Sequence, residues 1–135
     1  MTTREDLESF IIRMGVDAEE VADGMWVIPG ADGSAPVVIN YSPPMVLLRL
    51  KVMHLPEGVS DHDLAPFYRR LLELNATDIV HGSYGIEEGD VVLSDALELD
   101  SLDYAELQSS YESLVVAASS HLAGLAQLVP AAHEE

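Results

Sequence analysis

The feature that most constrains the fold is a strand–turn–strand–helix pattern in the C-terminal half of the chain. A helical segment ends near Asn75, and strands are predicted over Ile79–Ile86 and from Val91 to about Leu99. The acidic glycine turn Glu87–Asp90 separates the two strands, and a long helix begins after Asp100. Because short turns join neighbouring strands in antiparallel fashion, this pattern predicts a β-hairpin that leads directly into a helix.

The rest of the chain adds helices and strands of ordinary length. Apolar residues spaced three and four apart indicate helices, and alternating apolar residues indicate strands. The predicted elements are a helix over Arg4–Met14, strands over Met25–Ile28, Val37–Tyr41 and Met45–His54, a helix from Ser60 or Asp61 to Asn75, and a last helix from about Leu102 to Leu128.

The resulting element order is α-β-β-β-α-β-β-α. It predicts an α+β fold in which helices pack against a five-stranded antiparallel sheet. Residues 1–129 are predicted to form one domain, and residues 130–135 a frayed tail.

The net negative charge of the chain limits the kinds of partner that it can bind. The chain of 135 residues has a net charge of −18, and 13 of its acids but none of its Lys or Arg residues follow Arg70. Such a surface repels phosphate groups, so we expect no direct binding to nucleic acid or to a membrane surface. The chain has no cysteine, no apolar run of membrane-spanning length and no basic leader at Met1, which together predict a cytoplasmic protein.

The C-terminal sequence motifs resemble one family. LLELN, at Leu71–Asn75, precedes a strand that contains Gly82 and Gly85, and LSDALELDSLDYAEL leads into the last helix. In this order and spacing the chain resembles the YbjN-like proteins and their relatives, the type III secretion chaperones of the Tir-chaperone (CesT) class. The resemblance implies a small, acidic, usually dimeric protein that binds client proteins or acts as a regulatory adaptor, and that does no known chemistry.

The strand Met45–His54 supplies the main candidate binding surface. Side chains on a strand alternate between two faces. The outward set is predicted to bind a client protein, because methionine adapts to varied partners and two bases make the strip locally positive. The outward set consists of Met45, Leu47, Arg49, Lys51 and Met53. A covering element or a dimer partner is the alternative explanation of that face.

Trp26, on a short strand predicted near a sheet edge, is a further candidate for client binding, with simple packing on the sheet as the alternative.

The second helix is the candidate homodimer interface. Its apolar residues include Phe67, Tyr68, Leu71 and Leu74. The resemblance implies that this helix contributes to dimerisation, although the same residues would also suit a plain core.

The sequence predicts no catalytic residue, no metal and no cofactor. Among the histidines, only His62 lies between two acids, Asp61 and Asp63, and these three lie where a helix cap is expected. Two other functions remain open. The chain could be an acidic decoy for a basic, nucleic-acid-binding protein, or a small-molecule sensor with a pocket between helix and sheet.

Overall fold

The computed structural model describes residues 1–31 and 34–130, and within them the chain forms three helices and six strands. Residues 131–135 of the predicted tail lie outside the described residues. In chain order the elements are α1 (Arg4–Arg13), β1 (Glu19–Ala22), β2 (Met25–Ile28), β3 (Val37–Ser42), β4 (Met45–His54), α2 (Asp61–Thr77), β5 (Ser83–Glu87), β6 (Asp90–Glu98) and α3 (Tyr104–Leu128).

The six strands of the described chain form one antiparallel sheet in the order β1-β2-β3-β4-β6-β5. The α+β class and the antiparallel sheet are confirmed, but the sheet has six strands rather than the predicted five. The additional strand is β1, in which Glu19 pairs with Val27 of β2. All four side chains of β1 are exposed, so it lacks the alternation of apolar residues by which a strand is recognised in a sequence.

Short polar side chains decide where two of the helices begin. Thr3 and Asp6 each accept the other's backbone N–H, a capping box at the start of α1. At α3, Asp103 accepts the backbone N–H three residues further on and acts as the cap. The last helix therefore begins at Tyr104, two residues after the predicted Leu102.

The connection between α2 and β5 differs from the prediction. Helix α2 continues to Thr77, and β5 begins at Ser83 rather than at Ile79. Gly82, just before the strand, has a φ of 83°, and a Cβ at this position would collide with the carbonyl oxygen of Ser94. Only glycine fits this conformation and this space, so the chain enters the sheet after Gly82.

The side chain of Asn75 joins α2 to β5. Its Oδ1 accepts the backbone N–H of Tyr84 at 2.7 Å, and its Nδ2 donates to the carbonyl oxygen of Tyr84 at 3.2 Å. Both backbone groups of a residue on the edge strand β5 are therefore bonded to one amide side chain. We call this contact the Asn75 clamp.

The three helices pack on one face of the sheet, here called the inner face. Along β4, Val46, Leu48 and Leu50 are buried, as the alternation predicts, and the residues between them are partly exposed. Burial of these apolar side chains is the main force that holds the helices on the sheet. The helix residues in the same cluster are Leu7, Ile11, Phe67, Leu71, Leu74, Leu107, Leu114, Ala118 and Leu125.

Candidate functional site

The opposite face of the sheet, here called the outer face, is left uncovered by the three helices of the described chain. On β2, β3 and the first half of β4 its side chains are mostly apolar and half-buried. An apolar area that stays in contact with water on a folded chain is typical of a protein interaction site. We call this area the outer patch, and it consists of Met25, Val27, Val38, Met45 and Leu47.

The outer patch is continuous because its members are neighbours across strands. Val27 of β2 lies opposite Val38 of β3. Asn40 of β3 lies between Met25 of β2 and Leu47 of β4. Side chains in such directly opposed positions on one face touch one another. The patch therefore spans three central strands, with one amide side chain in the middle that could bond a partner's backbone.

Ion pairs border the outer patch on the side of β5 and β6. Arg49 Nη2 lies 2.6 Å from Glu87 Oε2, and Lys51 Nζ lies 3.1 Å from Asp90 Oδ2. His54 Nδ1 lies 2.6 Å from the other oxygen of Asp90. The prediction of a locally positive strip is therefore corrected, since each of the two bases already has a carboxylate partner.

Asp90 contacts both Lys51 and His54 at this charged border. The hydrogen bond to His54 and the hydrogen bond and charge of Lys51 hold the pKa of Asp90 below its usual value. The carboxylate is therefore ionised at neutral pH. A partner on the outer face would meet an apolar centre first and paired charges at this border.

A bulge in β4 changes which side chains face outward. The pairing of β4 with β6 shifts by one residue between Lys51 and Met53. Met53 then lies opposite the buried Val91 and packs against the core, so the prediction that Met53 faces outward is wrong. His54 takes the outward position beside Lys51.

Trp26 does not lie where a client could reach it. Its side chain is 3% exposed and belongs to the core, and the guanidinium of Arg4 lies 5.4 Å from its ring centre. Strand β2 is also not an edge strand, because it pairs with β1 on one side and β3 on the other. The prediction that Trp26 binds a client is therefore wrong, and packing on the sheet explains this residue.

The residues predicted for the dimer interface also face inward. Phe67, Leu71 and Leu74 are buried in the core, and Tyr68 is half-buried with its ring edge-on to Phe67 at 6.2 Å. The apolar stripe of α2 packs against the chain's own sheet, which leaves no surface on these three residues for a second copy. This part of the prediction is therefore corrected.

Sequence reasoning missed three residues of the outer patch, Met25, Val27 and Val38. The signal was present, because β2 and β3 also alternate between buried and half-buried positions. Once Trp26 is known to face the core, its neighbours must face outward.

Three polar side chains meet beside α3. His121 Nδ1 lies 2.7 Å from the hydroxyl of Tyr84, and His121 Nε2 lies 3.2 Å from Asp78 Oδ2. Burial, and secondarily the negative charge of Asp78, raise the pKa of Tyr84 to about 12. A phenol that holds its proton so firmly is a poor base or nucleophile at neutral pH, so the arrangement acts as a tie between β5, α3 and the end of α2.

Residues 1–31 and 34–130 contain neither a candidate metal cluster nor a candidate membrane-spanning helix. No three His, Asp or Glu side chains there come together in a way that could hold a metal ion. No helix in that part of the chain has the length and apolar character needed to cross a bilayer.

Comparison with known families identifies the family of the chain. The family model CesT_Tir_1 matches residues 1–131. The chain belongs to the CesT_Tir_1 family. The resemblance predicted from the order of its elements is thereby confirmed. No curated protein sequence matches it significantly.

Solved structures share the fold of this CesT_Tir_1 chain at low sequence identity. The ExoU–SpcU complex from the type III secretion system of Pseudomonas aeruginosa contains a chain with a TM-score of 0.67 and 16% identity, and the match covers 88% of this chain and 96% of that one. A chain of the ExsC–ExsE complex has a TM-score of 0.63 and 18% identity, over 98% and 100% of the two chains. YbjN from E. coli has a TM-score of 0.64 and 15% identity, over 90% and 93%. The likeness establishes the fold.

Proposed function

We propose that this CesT_Tir_1 chain binds a client protein through the outer patch and performs no chemistry of its own. The observation that carries the proposal is the uncovered apolar face formed by β2, β3 and β4. An extended segment of a client can lie across such a face and bury alternate side chains in shallow apolar depressions, without any catalytic group.

The binding partners of similar chains in solved structures support this proposal. Several of the similar solved structures are complexes of two different proteins, among them ExoU–SpcU, ExsC–ExsE and the chaperone–effector complex HopA1–SchA. A fold that recurs in complexes with a second protein fits a binding role for this chain.

The proposal is tested by placing a charge in the centre of the outer patch. Leu47→Asp should abolish or strongly reduce capture of the client from an extract of the native host, because a carboxylate would be buried against an apolar segment. Leu72→Asp is the matched control, since Leu72 is 69% exposed on α2 and lies away from the sheet. Equal capture by both variants, with circular dichroism like that of the parent protein, would rule out the outer patch.

The salt dependence of client capture distinguishes apolar binding from the acidic-decoy alternative. Binding through the outer patch should persist when washes are raised from about 50 mM to about 500 mM NaCl, because screening weakens attraction between exposed charges but not apolar contact. Loss of the captured protein at high salt would instead favour a basic partner held by the acidic surface.

A groove between the sheet and a helix is the observation that favours the small-molecule alternative. A groove of about 450 Å³ lies between the inner face and α3, and its walls include Val37, Leu50, Val52 and Tyr111. An apolar ligand of modest size would fit there. A rise in melting temperature with one compound of a metabolite panel, lost in Leu50→Asn, would favour this function.

We also propose that the protein forms a homodimer and acts in the cytoplasm. The absence of cysteine suits a reducing compartment. Light scattering should give a mass near twice the chain mass of 14.6 kDa. A mass near 14.6 kDa at all concentrations would remove the dimer but leave client binding untouched.

A further inference from the structure

A second apolar groove lies on the helical side of the molecule. One wall is the connection between α2 and β5, the other is α3, and the volume between them is about 400 Å³. Val80 of the connection is 83% exposed, and Val116 of α3 is 60% exposed. We call this the α3 groove and define it by Asp78, Val80, Glu112 and Val116. Exposed apolar side chains grouped around a groove are typical of a site that binds another molecule.

Two carboxylates border this apolar surface without a Lys or Arg to balance them. Asp78 and Glu112 both line the α3 groove. No Lys or Arg follows Arg70 in the chain, and Arg70 itself pairs with Glu73. His121 Nε2 lies 3.2 Å from Asp78 Oδ2, and a carboxylate can accept further hydrogen bonds beside that one. The groove therefore attracts a positive group.

The end of α2 adds to this negative charge. The helix has 17 residues, no base in its last turn, and Asp78 as its C-cap. Carbonyl groups at the C-terminal end of a helix carry partial negative charge, so a cation is favoured there and a carboxylate is disfavoured. Local rules of this kind are broken mostly at functional sites. A positive group bound in the α3 groove would interact favourably with the carboxylate and with the helix end together.

The shape of the α3 groove suits a segment of polypeptide. Glu112, Val116 and Ser120 line it at intervals of four residues along α3, so it extends over about 12 Å. About four residues of an extended chain cover that distance. On the opposite wall, the backbone of Val80 and His81 forms no hydrogen bond with another backbone group of the described chain. An extended segment presents N–H and C=O groups that can pair with such a wall, whereas a small amine does not.

We propose that the α3 groove binds a short extended segment of another polypeptide, in which Arg or Lys stands next to apolar residues. The base of this segment pairs with Asp78 and Glu112, and its apolar neighbours cover Val80 and Val116. The α3 groove is separate from the outer patch, so the inference does not depend on the outer patch as the client site.

The small size of the groove sets the expected strength of binding. Four residues bury far less than the roughly 800 Å² per partner of a standard interface, so we expect a dissociation constant of about 10–100 µM. The probe is a fluorescein-labelled peptide with blocked ends, Gly-Val-Arg-Leu-Arg-Val-Gly, titrated with the full chain at about pH 8, where ordinary histidines are neutral. The same peptide with Glu in place of Arg should not bind, because like charges repel.

A double variant tests the charged part of the α3 groove. Asp78→Asn with Glu112→Gln removes both charges at nearly constant side-chain size, and should weaken binding of the Arg peptide at least about tenfold in fluorescence anisotropy. Asp17→Asn with Glu19→Gln is the matched control, because it removes the same two residue types from exposed positions near β1, at the border of the sheet opposite to β5. The control should bind the peptide like the parent chain.

A single variant tests the apolar part independently of any ion pair. Val80→Ser should weaken binding of the Arg peptide about threefold or more, because it removes apolar area that the segment covers. Since Val80 is 83% exposed, the change leaves the core intact. Val21→Ser is the matched control on β1, where Val21 is 52% exposed, and it should leave binding unchanged.

Four results would overturn the inference. An Arg peptide that does not bind below about 1 mM removes the site. Equal weakening by the two acid-removing double variants would mean that the acidic surface as a whole attracts the peptide. Spermine that binds as tightly as the peptide, with no effect of Val80→Ser, would make the groove a site for a small amine. Loss of peptide binding in Leu47→Asp, with none in Asp78→Asn and Glu112→Gln, would move the peptide to the outer patch.

The inference and the proposed function fail separately. Client capture through the outer patch is measured with Leu47→Asp, which leaves every residue of the α3 groove unchanged. The first three of the four results above concern the α3 groove alone and do not alter the capture expected for that variant.

Discussion

At the scale of single residues, Tyr84 shows how burial turns an ionisable side chain into a structural one. Its ring is 6% exposed, its hydroxyl is bonded to His121, and its backbone is held by Asn75. The raised pKa means that the folded state keeps the phenol proton to a higher pH than the unfolded state does.

This difference predicts a loss of stability at alkaline pH. The folded pKa is about 12 and the unfolded value about 10, so the tyrosine has no effect below pH 10, and the free energy of unfolding falls as pH rises towards 12. The part due to Tyr84 should be about 2–3 kcal/mol, since two pKa units correspond to about 2.7 kcal/mol. Urea unfolding of Tyr84→Phe across this range should lack this part of the decline.

Tyr68→Phe is the control for the alkaline prediction, because Tyr68 is a half-buried tyrosine on α2 whose removal leaves the Tyr84 contacts in place. It should keep the full decline of the parent chain. An identical decline in Tyr84→Phe and Tyr68→Phe would show that other groups cause the alkaline loss.

Single residues also show what the sequence could and could not predict. Simple alternation placed Val46, Leu48 and Leu50 in the core correctly. It failed at Met53, because a bulge inserts one residue into β4 and reverses the faces of the residues beyond it. The side chains of the strand give no indication of this insertion.

At the scale of secondary-structure elements, the Asn75 clamp holds an edge strand whose side chains contribute little to the core. In β5, Tyr84 is buried and the other four residues are exposed. The strand therefore depends on its pairing with β6 and on the clamp from α2.

Removal of the clamp should loosen β5 before the rest of the fold. Asn75→Ala leaves two backbone groups of Tyr84 without their partner, and should lower the free energy of unfolding by about 1–3 kcal/mol. Hydrogen exchange of the amides in Ser83–Glu87 should accelerate more than that of the amides in β4. Asn40→Ala, on the outer face, is the matched control and should change neither quantity by as much. Uniform acceleration over the whole sheet would contradict a local role.

Elements with a repeating apolar pattern were predictable from the sequence, and those without it were not. Helix α2 and strand β4 have clear periods, and the structure has both close to the predicted bounds. Strand β1 is formed by exposed residues and exists because β2 offers it a free edge, which is information from the fold rather than from the segment itself. The same holds for the candidate site, since the residues that join Leu47 in the outer patch depend on strand register.

At the scale of the whole molecule, the bases are already engaged and the acids are in large excess. Arg4 pairs with Glu20 and Asp23, Arg49 and Lys51 are paired at the outer face, and Arg13 stacks on the ring of Tyr104 at 4.0 Å. With 24 acids and 6 bases, the remaining carboxylates repel one another in the compact state.

Screening of this repulsion should stabilise the fold. At pH 7 an increase from about 20 mM to about 300 mM NaCl should raise the melting temperature, because the Debye length becomes shorter than the spacing between many surface acids. The same salt step near the pI of 4.2 should have a smaller effect, since the net charge is then close to zero. A lower melting temperature in salt at pH 7 would mean that the ion pairs outweigh the repulsion.

The Asn75 clamp has one more consequence, for a protein proposed to hold extended pieces of other chains. Fibres grow when one border of a sheet docks onto the opposite border of the next copy, so that each addition exposes a fresh template. Here β1 lies at one border, while at the other the amide of Asn75 already occupies both backbone groups of Tyr84. The clamp therefore removes one of the attachment points that a strand of another copy would need at this border of the sheet.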